Sequence, residues 1–190
     1  MPNAYENIRV KKIALRAEGY LELDMPSYAL LELRKASQLH VSCNPGLFYL
    51  EGAALHQLRK YREALYPLGQ AVLLEPSNIK IWLLIGNCQK RIGRCDLAIE
   101  SLENALALQP NSAVALYNLA CYQALAKHPR ECLNYLTKAI RLDEKYREFA
   151  RHERGFQLLN DNPAFQELMQ SSPETNSAAN SETEIPIPEA

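Results

Sequence analysis

Between residues 4 and 142 apolar side chains recur at steps of three and four, and every dozen or so residues Gly, Pro, Asn or Asp interrupts them. Such spacing puts one apolar stripe on each of a series of helices and a turn after each. It predicts a first helix from about 4 to 23, then helices over roughly 26–40, 46–57, 61–74, 78–91, 95–108, 112–125 and 129–142. Asn3 followed by Glu6 supplies a capping pair for the first, with Asn in place of the usual Ser or Thr. No stretch alternates convincingly with period two, so no sheet is expected.

A second, longer period runs through the same region. Gly52 and Gly86, Ala64 and Ala98, Leu68 and Leu102, Ala71 and Ala105, and Pro76 and Pro110 all stand 34 residues apart. A fixed period in this range marks a stack of one supersecondary unit. With residue 45 as the first position of a unit, Gly52 is eighth and Ala64 twentieth, where two antiparallel helices cross closely and a large side chain would hold them apart. Leu68 fills the space between units, Ala71 faces the next unit, and Pro76 ends the second helix because it lacks an N–H and disfavours helical geometry before it. The unit from 79 repeats this with Trp82, Ile85, Gly86, Ala98, Leu102, Ala105 and Pro110. The unit from 113 keeps Leu116, Leu119, Ala120, Leu136 and Ala139, with Cys132 at the small position and Glu144 in place of proline. An earlier unit from 10 fits through Ile13, Ala17, Tyr20, Ala29, Leu33 and Ala36, with Asn44 as a one-residue insertion and an irregular loop at 42–45.

This register resembles the tetratricopeptide repeat, a 34-residue helix-turn-helix, and the chain is similar to small bacterial members of that family. The resemblance covers residues 10–146 as four units, about 10–43, 45–78, 79–112 and 113–146, within an array spanning 1–146. Trp82 matches the signature tryptophan, Gly52 and Gly86 the glycine, Tyr20 the tyrosine, and Pro76 and Pro110 the proline. Ile13, Phe48 and Leu116 stand where tryptophan is commonest. The implied fold is all-α, an α-solenoid of antiparallel helix pairs. Residues 147–170 leave the register, yet Phe149, Phe156, Leu158, Leu159, Phe165 and Leu168 make them an expected C-terminal cap over the last unit's apolar face. From Ser171 onward Ser, Thr, Asn, Glu and Pro dominate, and a disordered tail is expected over 171–190.

Composition narrows the chemistry. The 190 residues carry 21 basic and 22 acidic side chains, which gives no electrostatic reason to expect nucleic acid or an anionic membrane as partner. The start has no apolar leader, and the longest apolar run, Ile81 to Ile85, is far short of the ~20 residues that span a bilayer. Five cysteines without a CxxC pair, Cys43, Cys88, Cys95, Cys121 and Cys132, fit free thiols in the reducing cytoplasm. His40, His56, His128 and His152 lie near helix ends or loops without metal-ligand spacing, and they read as solvated imidazoles. No Walker loop, GxSxG or GxGxxG occurs, so no cofactor and no catalytic residue are expected.

In the family's fold the first helices of successive units line a concave groove. The resemblance therefore implies Tyr49, His56, Leu83, Asn87, Lys90, Tyr117 and Cys121 as groove residues, with Asn118 beside them. Rings supply apolar area and amides fix backbone register, a combination suited to a peptide. Asn87 and Asn118 match two asparagines of the family's carboxylate clamp, but Leu83 stands where its first lysine belongs, so that clamp is not expected. The function expected is a non-enzymatic adaptor or scaffold holding a peptide or protein segment, with self-association left open. Two other readings stand beside it: a dedicated chaperone of a bacterial secretion translocator, dimerising through the long first helix, and an enzyme using Cys121 as nucleophile. The tail, through Ile185, Pro186, Ile187 and Pro188, is a further candidate groove ligand.

Overall fold

Ten α-helices and one 3-10 helix follow one another in a computed structural model that describes residues 4–37 and 44–170. The helices are α1 (Ala4–Glu22), α2 (Pro26–Ser37), α3 (Pro45–Gln57), α4 (Tyr61–Leu74), α5 (Ile79–Arg91), α6 (Cys95–Leu108), α7 (Ala113–Leu125), α8 (Pro129–Leu142), α9 (Lys145–His152) and α10 (Pro163–Gln170), with the 3-10 helix Arg154–Leu159 before α10. Among the described residues there is no strand. Asn3, His40, Cys43, the loop residue Ser42 and the tail 171–190 lie outside the described residues.

Three of the first helices start, and the turns inside the pairs close, for local reasons that recur with the repeat. Asn44, Asn78 and Ser112, themselves 34 apart, cap α3, α5 and α7: their side-chain oxygens accept from the N–H groups of Leu47 (3.1 Å), Lys80 (3.1 Å) and Ala115 (3.4 Å). Asn44, read from the sequence as an insertion, is thus a working cap. The turn inside each pair closes through a residue with positive φ, at Asp24 (54°), Arg59 (59°), Gly93 (78°) and Lys127 (62°). The next N–H reaches back to a carbonyl five residues earlier: Met25 to Tyr20, Lys60 to Leu55, Arg94 to Gln89, His128 to Gln123. The spacing from Asp24 to Arg59 is one residue longer than the others, which locates the extra residue in the first repeat boundary.

Consecutive helices pack antiparallel in pairs, and each second helix packs on the first helix of the next pair. α1 also touches α3 and α3 touches α5, so the first helices lie side by side along one face of an α-solenoid. Equivalent positions carry equivalent burdens. Ala29, Ala64, Ala98 and Cys132 are all fully buried, as are Ala71, Ala105 and Ala139 further along the second helices. Cys132 serves as the small residue at its crossing, a role its volume and low polarity permit. The Trp82 indole N–H donates to the carbonyl of Pro76 (2.8 Å), tying α5 to the end of the preceding repeat.

The C-terminal segment folds onto the last pair. Tyr146, Ala150, Phe156, Leu159 and Phe165 join one apolar cluster with Leu119, Ala120, Leu136 and Ile140. α9 starts at Lys145, in the repeat region, and its buried Arg147 holds both the Glu144 carboxylate and the Leu168 carbonyl of α10. Two apolar residues of this stretch stay outside: Phe149 and Leu158 are exposed, and Leu168 is half-buried.

Candidate functional site

The face formed by α1, α3, α5 and α7 carries the eight residues picked out from the sequence, and the structure sorts them into two groups. Tyr49 on α3 packs among residues of α1 and α2; burial raises its phenol, and the charge of Glu18 adds to this. His56 on α3 and Asn87 on α5 meet directly, Nε2 to Oδ1 at 2.8 Å, which bridges two repeats. The imidazole is therefore a partnered group rather than a solvated one, and its ring also meets the edge of Tyr61 (5.3 Å between centroids). His128 and His152 are likewise partnered, with Gln123 and Glu148. Leu83, half-buried, packs against the α7 cluster. Lys90 lies over the ring of Tyr122 (5.1 Å), a cation–π contact that keeps its ammonium near the face.

The α7 group is different. Tyr117 sits in an aromatic nest: Tyr146 at 4.9 Å, Phe156 at 6.0 Å and Phe149 at 6.3 Å between ring centroids. The 3-10 helix lies against α7, and Gly155 lies so close that a side chain there would reach within 4.0 Å of the Cys121 carbonyl. Asn118 is half-buried beside them, whereas Cys121 is buried. An open groove along α7 was expected; instead the chain's own C-terminal segment packs its rings against half-buried Tyr117 and lies over buried Cys121. The physical reason is the one that required a cap at all, an apolar last face that needs covering. The covering segment reaches round to the first-helix face as well as the end.

Burial makes the thiols poor nucleophiles. It pushes Cys121 up to about 12, with Glu153 adding to the rise and with Lys90 and the Tyr117 hydroxyl, which donates to the sulfur, opposing it. Burial alone raises Cys88 to about 11 and Cys132 to about 12. A thiol at 12 is ionised in on the order of one molecule in 10⁵ at neutral pH, and only the thiolate attacks. Cys121 thus lacks the electropositive, exposed setting that a nucleophilic role requires. Iodoacetamide at about pH 8 is expected to label half-buried Cys95 well before Cys88, Cys121 or Cys132, read by peptide mass mapping. Equal labelling of Cys121 and Cys95 would contradict this burial. Among the described residues no group of three His, Cys, Asp or Glu side chains could hold a metal ion.

Three contributors were not read from the sequence. Tyr61 opens α4 yet stands between His56 and Arg91, whose guanidinium lies 5.6 Å from its ring. Glu153 follows α9 and reaches Cys121 electrostatically. Tyr122, one residue past Cys121, is buried and supports Lys90, while its hydroxyl has no hydrogen-bond partner. An unsatisfied buried hydroxyl costs about 1–3 kcal/mol. Tyr122→Phe is therefore expected to raise stability by ~1 kcal/mol in urea unfolding; a loss of that size would mean the hydroxyl is satisfied in solution.

Comparison with known proteins agrees with this geometry. A family model described as tetratricopeptide repeat matches residues 79–112, the α5 and α6 pair. The PEX5-related proteins of Mus musculus and Homo sapiens are each 27% identical over 109 residues, 55% of this chain but 19% and 17% of theirs, so the chain spans under a fifth of the length of these curated relatives. Among solved structures, MamA residues 41 to the end from Desulfovibrio magneticus RS-1 superposes with a TM-score of 0.72 at 21% identity, over 95% of this chain and all of that one. YrrB, described as a TPR protein with an unusual peptide-binding site, gives a TM-score of 0.64 at 26% identity, covering 72% and 71% of the two chains. No helix among the described residues is long and apolar enough to cross a membrane.

Proposed function

We propose that this chain, whose helix pairs are similar to those of the tetratricopeptide-repeat proteins it matches, holds a peptide or protein segment, without catalysis, on the α3 and α5 part of its first-helix face. The observation that carries this is the half-buried row Tyr49, His56, Leu83, Asn87 and Lys90, pre-ordered by the His56–Asn87 bond, beside an α7 already covered by Phe156. An aliphatic side chain, an aromatic ring, a primary amide and an ammonium on adjacent helices offer apolar area together with groups that fix a bound backbone. The amide of Asn87 spends its carbonyl oxygen on His56 and keeps its NH₂ as a donor for a ligand carbonyl. The unpaired thiols Cys88, Cys95, Cys121 and Cys132 support a reducing compartment, the cytoplasm.

Selection of a displayed random peptide library on the full chain tests this. Enriched peptides are expected to lose at least tenfold in affinity for Leu83→Asp and for Asn87→Ala, while circular dichroism stays unchanged. Peptides that bind those variants as tightly as the parent would place the docking surface elsewhere.

A further inference from the structure

The repeat aligns the turns inside the helix pairs along one edge of the solenoid, and the three such turns from α3 onward carry basic residues and no acid, whereas the α1–α2 turn carries Asp24. Arg59 and Lys60 stand in the first such turn after α3, Arg94 in the next, and Lys127 with Arg130 in the third. Lys60 pairs with Glu63 at 3.2 Å, whereas Arg94, Lys127 and Arg130 have no carboxylate at ion-pair distance among the described residues. Glu131, in the first turn of α8, is the acid nearest in sequence to the third turn. On the opposite edge the α4–α5 turn carries Glu75, the α6–α7 turn no charge, and the α8–α9 turn Asp143 and Glu144, which pair with Lys145 and Arg147.

Beside Lys127 the surface is also apolar. A cleft of about 250 Å³ opens between the α7–α8 turn and the 3-10 helix, lined by Ala124, Lys127, Pro129, Leu158 and Leu159. Leu158 on its rim is 74% exposed and Leu125, at the end of α7, 46%. An aliphatic cleft with a cation at its mouth suits an aliphatic segment flanked by carboxylates.

The chain contains such a segment. Residues 171–190 carry Glu174, Glu182, Glu184 and Glu189 and no Lys, Arg or His, and their largest aliphatic residues are Ile185 and Ile187, each followed by proline. Proline holds φ near the extended polyproline value, so less ordering entropy opposes docking of such a strand. The tether is long enough. α10 ends at Gln170 and is pinned to the same cap that lines the cleft, through Phe165 on Phe156 (6.1 Å between centroids), Gln166 to the Asn160 carbonyl (2.7 Å) and Arg151 to the Met169 carbonyl (2.7 Å). Fifteen residues from there to Ile185 span up to ~50 Å, against a helix α10 only ~12 Å long.

We propose that residues 182–189 of this chain dock into the cleft beside the α7–α8 turn, with Ile185 and Ile187 against Leu158, Leu159 and Pro129, and with Glu182 and Glu184 against Lys127 and Arg130. The surface is distinct from the α3 and α5 face, and its test does not depend on a partner binding there.

Zero-length carbodiimide coupling of the dilute full chain, followed by peptide mass mapping of the monomer, tests the contact. Amide links from Lys127 to Glu182 or Glu184 are expected at least tenfold above links from Lys12 or Lys35. They are expected to fall at least tenfold in Ile185→Asp/Ile187→Asp, which alters only the tail, and in Leu158→Asp, whose parent side chain is exposed. Links spread evenly over the lysines, links that persist in both variants, or links found only in covalent dimers would each overturn the proposal, the last by assigning the cleft to a second copy.

Discussion

Gly52→Ala is expected to destabilise the folded chain by ~2 kcal/mol, although alanine is the better helix former by ~1 kcal/mol. A Cβ at position 52 would stand 2.5 Å from Cγ and 2.6 Å from Cδ2 of Leu68, a side chain that is fully buried between α3, α4 and α5. Either Leu68 leaves its rotamer or the two helices move apart, and both lose packing that the core at this crossing depends on. Leu68→Ala alone should cost ~2–5 kcal/mol through the cavity it leaves. In that background Gly52→Ala is expected to change sign and become neutral or stabilising, because the added methyl enters the space and the helix propensity gain remains. Urea unfolding of the four proteins measures the coupling. Additive losses would mean that α3 and α4 do not cross at Gly52.

Phe156→Ala has the other large expected effect, a loss of ~3–5 kcal/mol. Its ring is 1% exposed and lies against Tyr117 and Phe165, so removing it opens the cluster under α7 and weakens the hold on α10. The same variant carries a chemical readout. Cys121 loses its cover, the desolvation that raises its thiol diminishes, and its alkylation is expected to speed up relative to Cys88, which is buried in a separate cluster among α3, α4 and α5. A destabilised variant in which Cys121 and Cys88 accelerate equally would report general loosening rather than loss of a specific cover.

The repeat made most of the helices legible because its physical causes are local. Small residues mark crossings, as Gly52, Ala64, Ala98 and Cys132 do, and the helices assigned to 61–74, 95–108 and 129–142 occupy those residues. The caps Asn44, Asn78 and Ser112 share the 34-residue spacing but were not read from it, and the register counts Asn44 as an insertion. What the register could not carry is whatever comes after the last repeat. Tyr117 and Cys121 were expected to face a groove, and it is residues at the end of the last unit and beyond it, Tyr146 to Phe156, that pack on Tyr117 and lie over Cys121. The bond between His56 and Asn87 and the stack of Arg91 on Tyr61 were hidden for another reason: they depend on side-chain directions across repeats, which spacing alone leaves free.

This covering changes which substitutions are informative about binding. Tyr117→Ala would remove a half-buried ring that packs on Tyr146 and Phe156 and so lower stability, and a loss of partner binding in that variant would not report on contact alone. Leu83, Asn87 and Lys90 are half-buried on a helix whose core is held by Ile81, Ile85 and Cys88, so they can be altered with the fold kept.

The most direct measurement is a backbone amide chemical-shift titration of the isotope-labelled full chain with a peptide selected on it. Docking on the first-helix face predicts saturable shifts concentrated at Tyr49, His56, Leu83, Asn87 and Lys90, with α2, α4 and α6 little changed. Shifts confined to the second helices, or spread over all repeats without saturation, would contradict it.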